Sequence, residues 1–139
     1  MNSHFLFLSN KFSPTAGELD EEHDDYINPG LFALELADFV ESSLRERGYE
    51  VKFRCQEDWG HWLEIDHAGK YTLAVCCGNA EDTENGLERH RVFVHPDKPV
   101  IRRWFRKIDV REDVEKLSLA IRSLLADDPD ISNLELEEV

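Results

Sequence analysis

Six histidines and three cysteines are the side chains of this sequence best suited to chemistry. Histidine nitrogens and cysteine thiolates bind metal ions, and a cysteine beside a histidine can act as a nucleophile. None of the spacings that mark a local metal pair, such as HxxxH, HxH, CxxC or HExxH, occurs in the chain. We therefore predict no metal and no cofactor. The residues concerned are His4, His23, His61, His67, His90, His95, Cys55, Cys76 and Cys77.

A small enzyme or metal-binding protein stays open as an alternative. His61, His90 and either Cys76 or Cys77 could meet across the strands of a sheet. A cysteine in the middle of a strand is more often an inert core residue. The sequence has no Gly-rich phosphate loop, no GxSxG and no serine-triad signature, so we assign no catalytic residue.

The segment from Glu57 to Trp62 is the most distinctive in the chain. It combines an acidic pair, two tryptophans and a histidine within six residues. Tryptophan is enriched in the hot spots of protein interfaces, so this segment is a candidate binding surface. Alternatively, one or both tryptophans belong to the core and Gly60 allows a tight turn. The candidate binding residues are Glu57, Asp58, Trp59, His61 and Trp62.

Charge is the most unusual bulk property of the chain. Its 30 acids and 16 Lys and Arg residues give a formal net charge of -14. Such a field attracts basic proteins and repels the phosphate backbone of nucleic acids. Six acids cluster in a long loop over residues 10–28, where they form either a solvated loop or a steering surface; they do not match the EF-hand pattern. These acids are Glu18, Asp20, Glu21, Glu22, Asp24 and Asp25.

A basic helix is predicted over residues 99–108. Its aromatic residues and its cations fall on opposite faces, as in helices that contact phosphates or anionic membranes. Weak nucleic-acid or membrane contact is therefore a further alternative, although pairing with acids of this chain or a partner fits the net charge better. The cations are Arg102, Arg103, Arg106 and Lys107.

Hydrophobic periodicity predicts the elements that must position these residues. Alternating or continuous apolar runs predict strands, and apolar residues at helical spacing predict helices. The predicted strands are 4–9, 49–55, 61–66, 71–77, 87–95 and 131–137. The predicted helices are 29–47, 99–108 and one that starts after a cap at Asp109 and stops at Asp128-Pro129.

This order, β-α-β-β-β-β-α-α-β, predicts one α+β domain over residues 1–139. Short turns between strands favour a mostly antiparallel sheet of about five to six strands. The two main helices each have one apolar face, so we expect both to cover one face of that sheet. The last strand would lie at an edge, where it could pair within the chain or form an oligomer with a second copy.

The sequence also predicts a cytoplasmic protein. Its first apolar run, Phe5–Leu8, is too short for a signal peptide, and no stretch is long enough to span a membrane. Three cysteines, two of them adjacent, make a poor disulfide framework and are typical of reduced thiols.

Several short motifs resemble those of a group of small uncharacterised bacterial proteins. They are Glu57-Asp58-Trp59-Gly60, a strand ending in Cys77-Gly78, Phe93-Val94-x-Pro96, and the stretch Arg103–Asp109 before a long helix. The resemblance covers roughly residues 29–125. It implies a bacterial, non-secreted domain, and it transfers no functional residue.

The leading hypothesis is a non-catalytic protein-binding module. An immunity-like inhibitor or an adaptor of a basic protein would use acids to speed capture and aromatic residues to hold the complex. Trp59, with Glu57 and Asp58, would be the anchor, and the acids of loop 10–28 would steer the partner.

Overall fold

The computed structural model describes residues 2–97 and 110–138. Within them the chain forms, in order, β1 (Asn2–Ser9), α1 (Leu34–Glu46), β2 (Val51–Glu57), β3 (Gly60–Ile65), β4 (Thr72–Glu84), β5 (Leu87–Asp97), α2 (Arg111–Ala126) and β6 (Ser132–Glu138).

The strands form one antiparallel sheet in the order β2-β3-β4-β5-β1-β6. Hairpins join β2 through β5, as expected for strands linked by short connections. β1 lies between β5 and β6, so the first and last strands pair at one edge of the sheet.

Both helices pack on one face of the sheet, here called the helix face. Strand residues alternate between the two faces, and the residues that enter the core are odd-numbered on β1, β3 and β4 and even-numbered on β5. Phe7 on β1, Leu63 on β3 and Val75 on β4 contact this core, together with Leu36 of α1 and Leu117 of α2. The predicted α+β class, with one antiparallel sheet and two helices, is confirmed.

The predicted number of strands and the predicted order of the elements agree approximately with the structure. Six strands are present in the described residues, in nearly the predicted order. The predicted helix over residues 99–108 and the cap at Asp109 lie outside the described residues. The last helix begins at Arg111, after Val110, and it ends at Ala126 just before the predicted stop.

The start of α1 differs from the prediction. Pro29 is part of a turn, in which the Leu31 N–H donates to the Asn28 oxygen over 3.1 Å. Gly30 has a φ of 80°, which matches a type II turn with proline and glycine at its two central positions. The helix therefore begins five residues later, at Leu34.

The faces of β2 also differ from the prediction. Simple alternation predicts Phe53 inside and Arg54 outside, but Phe53 is 54% exposed. A register shift between Val51 and Phe53 reverses the alternation. Arg54 therefore lies on the helix face, where its Nη1 donates to the carboxylate of Asp38 over 2.7 Å.

The C-terminal segment forms an edge strand, as predicted, and it pairs with β1 of the same chain. The β4–β5 hairpin turns more tightly than expected. Asn85 and Gly86 both have positive φ, 54° and 78°, as a two-residue type I′ turn requires. Consequently β4 continues to Glu84 through a stretch predicted as loop.

Candidate functional site

A two-residue turn between β2 and β3 presents Asp58 and Trp59. Glu57 pairs with Gly60 to close this turn. Gly60 has a φ of 152°, and a Cβ at this position would collide with the backbone oxygen of Cys77 on β4. Only glycine fits here, because the turn lies directly against the neighbouring strand.

Trp59 packs on the sheet face opposite the helices. Its ring lies 5.5 Å from the Phe93 ring, measured between centroids, at a tilt of 49°. The Phe93 ring also contacts His4 at 5.2 Å, and Arg91 lies 5.9 Å from its centre. Trp59 is half-buried, so one side of the indole is held while the rest faces solvent.

Trp62 belongs to the same face. It stands in a row across the sheet, in which Cys55, Trp62, Cys76, Phe93 and His4 are successive partners on β2, β3, β4, β5 and β1. Its ring meets the ring of His95 at 5.9 Å, edge to face. We call Trp59, Trp62, Phe93, His4 and His95 the aromatic face. Within the described part of the chain, no helix packs on it.

His61 does not join this surface, although it was predicted with Trp59 and Trp62. It points to the helix face and is only 3% exposed. Burial lowers the pKa of its imidazole, and the nearby Arg54 guanidinium lowers it further. The predicted set Glu57, Asp58, Trp59, His61 and Trp62 is therefore divided between surface and interior, because neighbouring strand residues face opposite ways.

Glu18 is also an interior residue and not a surface acid. It is 3% exposed, and its carboxylate accepts from the N–H of Thr15 over 3.0 Å and from the N–H of Leu34 over 3.1 Å. The second bond caps the first turn of α1, where Ala33 offers no side-chain cap. Among the predicted loop acids, Asp20, Glu21, Glu22 and Asp24 are exposed and Asp25 is half-buried.

Two asparagines connect the end of the acidic loop to the sheet. Asn28 Nδ2 donates to the backbone oxygen of Asp58 over 2.8 Å. Asn79 on β4 accepts from the Phe32 N–H and donates to the Gly30 oxygen, both over 2.8 Å. Sequence reasoning missed both roles; the dipeptide Pro29-Gly30 was the local signal of a turn, but nothing local indicates its distant partners.

A cavity of about 390 Å³ lies at this junction. It opens between the loop and the β2–β3 turn, and it is lined by Asn28, Pro29, Gly30, Leu31, Asp58 and Asn79.

The cysteines lack the environment of a nucleophile. Cys77 and His61 are direct partners on β4 and β3 and share the helix face with His90, whereas Cys76 points the other way. Burial raises the pKa of the Cys76 thiol to about 12 and raises the pKa of Cys77 as well, so both stay protonated near neutral pH. In the residues that the structure describes, no group of three or more potential metal ligands converges.

Arg102, Arg103, Arg106 and Lys107 fall outside the described residues. Over residues 2–97 and 110–138, no helix is long and apolar enough to cross a membrane.

No family model, no curated protein and no solved structure matches this chain. The resemblance to small bacterial proteins therefore stays a prediction, and function must be argued from the site.

Proposed function

We propose that the protein is a non-catalytic binding module that captures a basic protein, as an immunity-like inhibitor or an adaptor would. Its contact surface is the β2–β3 turn with the adjoining aromatic face and acidic loop. The observation that supports this most is the hydrogen bond from Asn28 to Asp58, because it holds the end of the acidic loop against the Trp59 turn.

Trp59 is the anchor in this proposal. Interfaces obtain most of their affinity from a few aromatic or arginine residues that become fully desolvated on binding. Trp59 is already packed against Phe93 on one side, so its orientation costs little further side-chain entropy when a partner covers it.

The acids beside Trp59 provide the charge complementarity. Residues 18–28 and 56–66 contain no Lys or Arg, and both segments carry several acids. Glu57, Asp58 and Asp20 are exposed. A basic partner would be steered to this end of the molecule, with a rate that falls as salt screens the field.

The enzyme alternative has weaker support. It would need a thiolate near His61 or His90, yet burial favours the neutral form of both histidines and of both sheet cysteines. The three free thiols fit a reducing compartment, and we propose the cytoplasm.

Affinity capture from host lysate tests the proposal. Wild type is compared with the double variant Trp59→Ala, Asp58→Ala and with Leu119→Ala, which removes an apolar side chain that is 64% exposed on α2. Capture is done at low ionic strength and at about 1 M salt, where the Debye length falls to about 3 Å.

We expect one basic protein to be retained by wild type and by Leu119→Ala, and to be lost by the double variant. After purification it should bind directly, with an association rate that salt reduces. If the same proteins are retained by all three forms, or if none binds directly, the proposal is wrong.

A further inference from the structure

The cavity beside the β2–β3 turn has a rigid frame. One wall is the type II turn from Asn28 to Leu31, and the other is Asp58. Three side-chain hydrogen bonds, each of 2.8 Å, join these walls to each other and to β4. Asn79, which makes two of them, is 9% exposed. Such a preformed cavity loses little entropy when it is filled.

Its lining has one charge. Asp58 is the single ionisable residue of the six, and Pro29 and Leu31 contribute apolar surface. A side chain that combines an aliphatic stem with a cationic end matches this lining, since the stem can lie on the apolar residues while the charge meets the carboxylate. Arginine and lysine have this form.

The volume is sufficient for an arginine or lysine side chain. At about 390 Å³ the cavity lies near the lower limit of the roughly 300–1,000 Å³ of small-ligand clefts.

We propose that this cavity is a subsite for one basic side chain, arginine or lysine, of the protein partner. The inference rests on the proposed function and adds to it, because it places a cation of the partner beside the Trp59 anchor. The aromatic face would then cover the partner's surface next to that basic residue.

A titration with small probes tests the subsite without the partner. The full-length, ¹⁵N-labelled protein is titrated with Nα-acetyl-arginine amide, with Nα-acetyl-lysine amide, and with the citrulline analogue, which has nearly the shape of arginine but no charge. Chemical shifts are followed at the Gly30 amide and at the Asn79 side-chain amide. The same titrations are run on Asp58→Asn and on Asp66→Asn, which removes an equal charge after the far end of β3.

We expect saturable shifts at both positions with arginine or lysine, and none with citrulline. Binding to Asp58→Asn should be about three- to fivefold weaker, the size expected for an exposed ion pair, whereas Asp66→Asn should bind like wild type. Equal responses to arginine and citrulline, or an unchanged affinity in Asp58→Asn, would overturn the inference.

The two proposals fail in different ways. If the arginine and lysine probes do not bind while a basic protein is still captured through Trp59, the subsite is wrong and the proposed function stands. If the probes bind as expected but no basic protein is captured, the subsite stands as a cation pocket and the proposed partner class is wrong.

Discussion

The side-chain amide of Asn28 donates to the backbone oxygen of Asp58 over 2.8 Å, and this bond joins two segments that are 30 residues apart. Asn28 ends the acidic loop, and Asp58 begins the turn that carries Trp59. The end of the acidic loop, which we propose steers a partner, therefore lies against the turn that carries the proposed anchor Trp59.

Asn79→Ala should loosen this arrangement more than Asn28→Ala does. The buried Asn79 makes two bonds to the turn, and its loss leaves the Gly30 oxygen and the Phe32 N–H without that partner. We expect a loss of about 1–3 kcal/mol in the free energy of unfolding for Asn79→Ala, and about 1 kcal/mol or less for the exposed Asn28→Ala. Urea unfolding of the variants measures both; equal losses would contradict the bracing role of Asn79.

Gly60→Ala should be among the most damaging single-methyl changes in the chain. The added Cβ would meet the Cys77 oxygen in a backbone conformation that alanine avoids. Strain and overpacking together predict a loss of about 2–5 kcal/mol. Gly86→Ala is the matched control, since it also has a positive φ but no atom within 4 Å of the new Cβ, and it should cost about 1–2 kcal/mol. A Gly60→Ala variant as stable as Gly86→Ala would show that β3 can move away from β4.

The protein should lose stability as the pH falls below about 6.5, the ordinary pKa of histidine. Burial lowers the pKa of His61 and His90, so the unfolded chain binds protons at a higher pH than the folded chain does. Between the folded and unfolded pKa values, the free energy of unfolding should therefore rise with pH, by up to about 1.4 kcal/mol per pH unit for each histidine.

Urea unfolding across the pH range 5–7.5 measures this slope. His61→Gln should flatten it, whereas Leu119→Ala, which removes no titratable group from the exposed face of α2, should leave it unchanged. A slope that is the same in wild type and in His61→Gln would rule out His61 as a source of the pH dependence.

Thiol reagents should distinguish Cys55 from the two sheet cysteines. Cys55 is half-buried at the edge strand β2, while Cys76 and Cys77 are fully buried. We expect one slow modification in the native protein, because burial and the Glu57 carboxylate raise the pKa of Cys55, and three modifications in urea. Rapid labelling of Cys76 or Cys77 in the native state would revive the cysteine-enzyme alternative.

Local sequence patterns predicted the elements well where one face alone is buried. The apolar stripe of α2, from Val114 to Leu125, gave its bounds to within a few residues, and the final edge strand was correctly placed. Two local features misled the prediction. Pro29 suits both a helix start and a type II turn, and the positive φ of Gly30 shows that the chain forms the turn. The register shift in β2 cannot be read from the alternation of apolar and polar residues.

The site was harder to predict because it depends on contacts between distant residues. The sequence identified Trp59, Asp58 and the acidic loop, but it could not show that the loop ends against the Trp59 turn. It also could not show that His61 and Glu18 are buried. The burial of His61 depends on which face of β3 it occupies, and that of Glu18 depends on its hydrogen bond from the Leu34 N–H. Long-range pairing such as that of Asn79 with Gly30 leaves no local signal.

The affinity of the purified basic partner for Trp59→Ala tests the central claim most directly. It is measured by calorimetry beside wild type and Leu119→Ala. The account predicts a loss of at least about 2 kcal/mol for Trp59→Ala, roughly a 30-fold weaker complex, and no significant change for Leu119→Ala. Wild-type affinity in Trp59→Ala would contradict the assignment of the β2–β3 turn as the binding anchor.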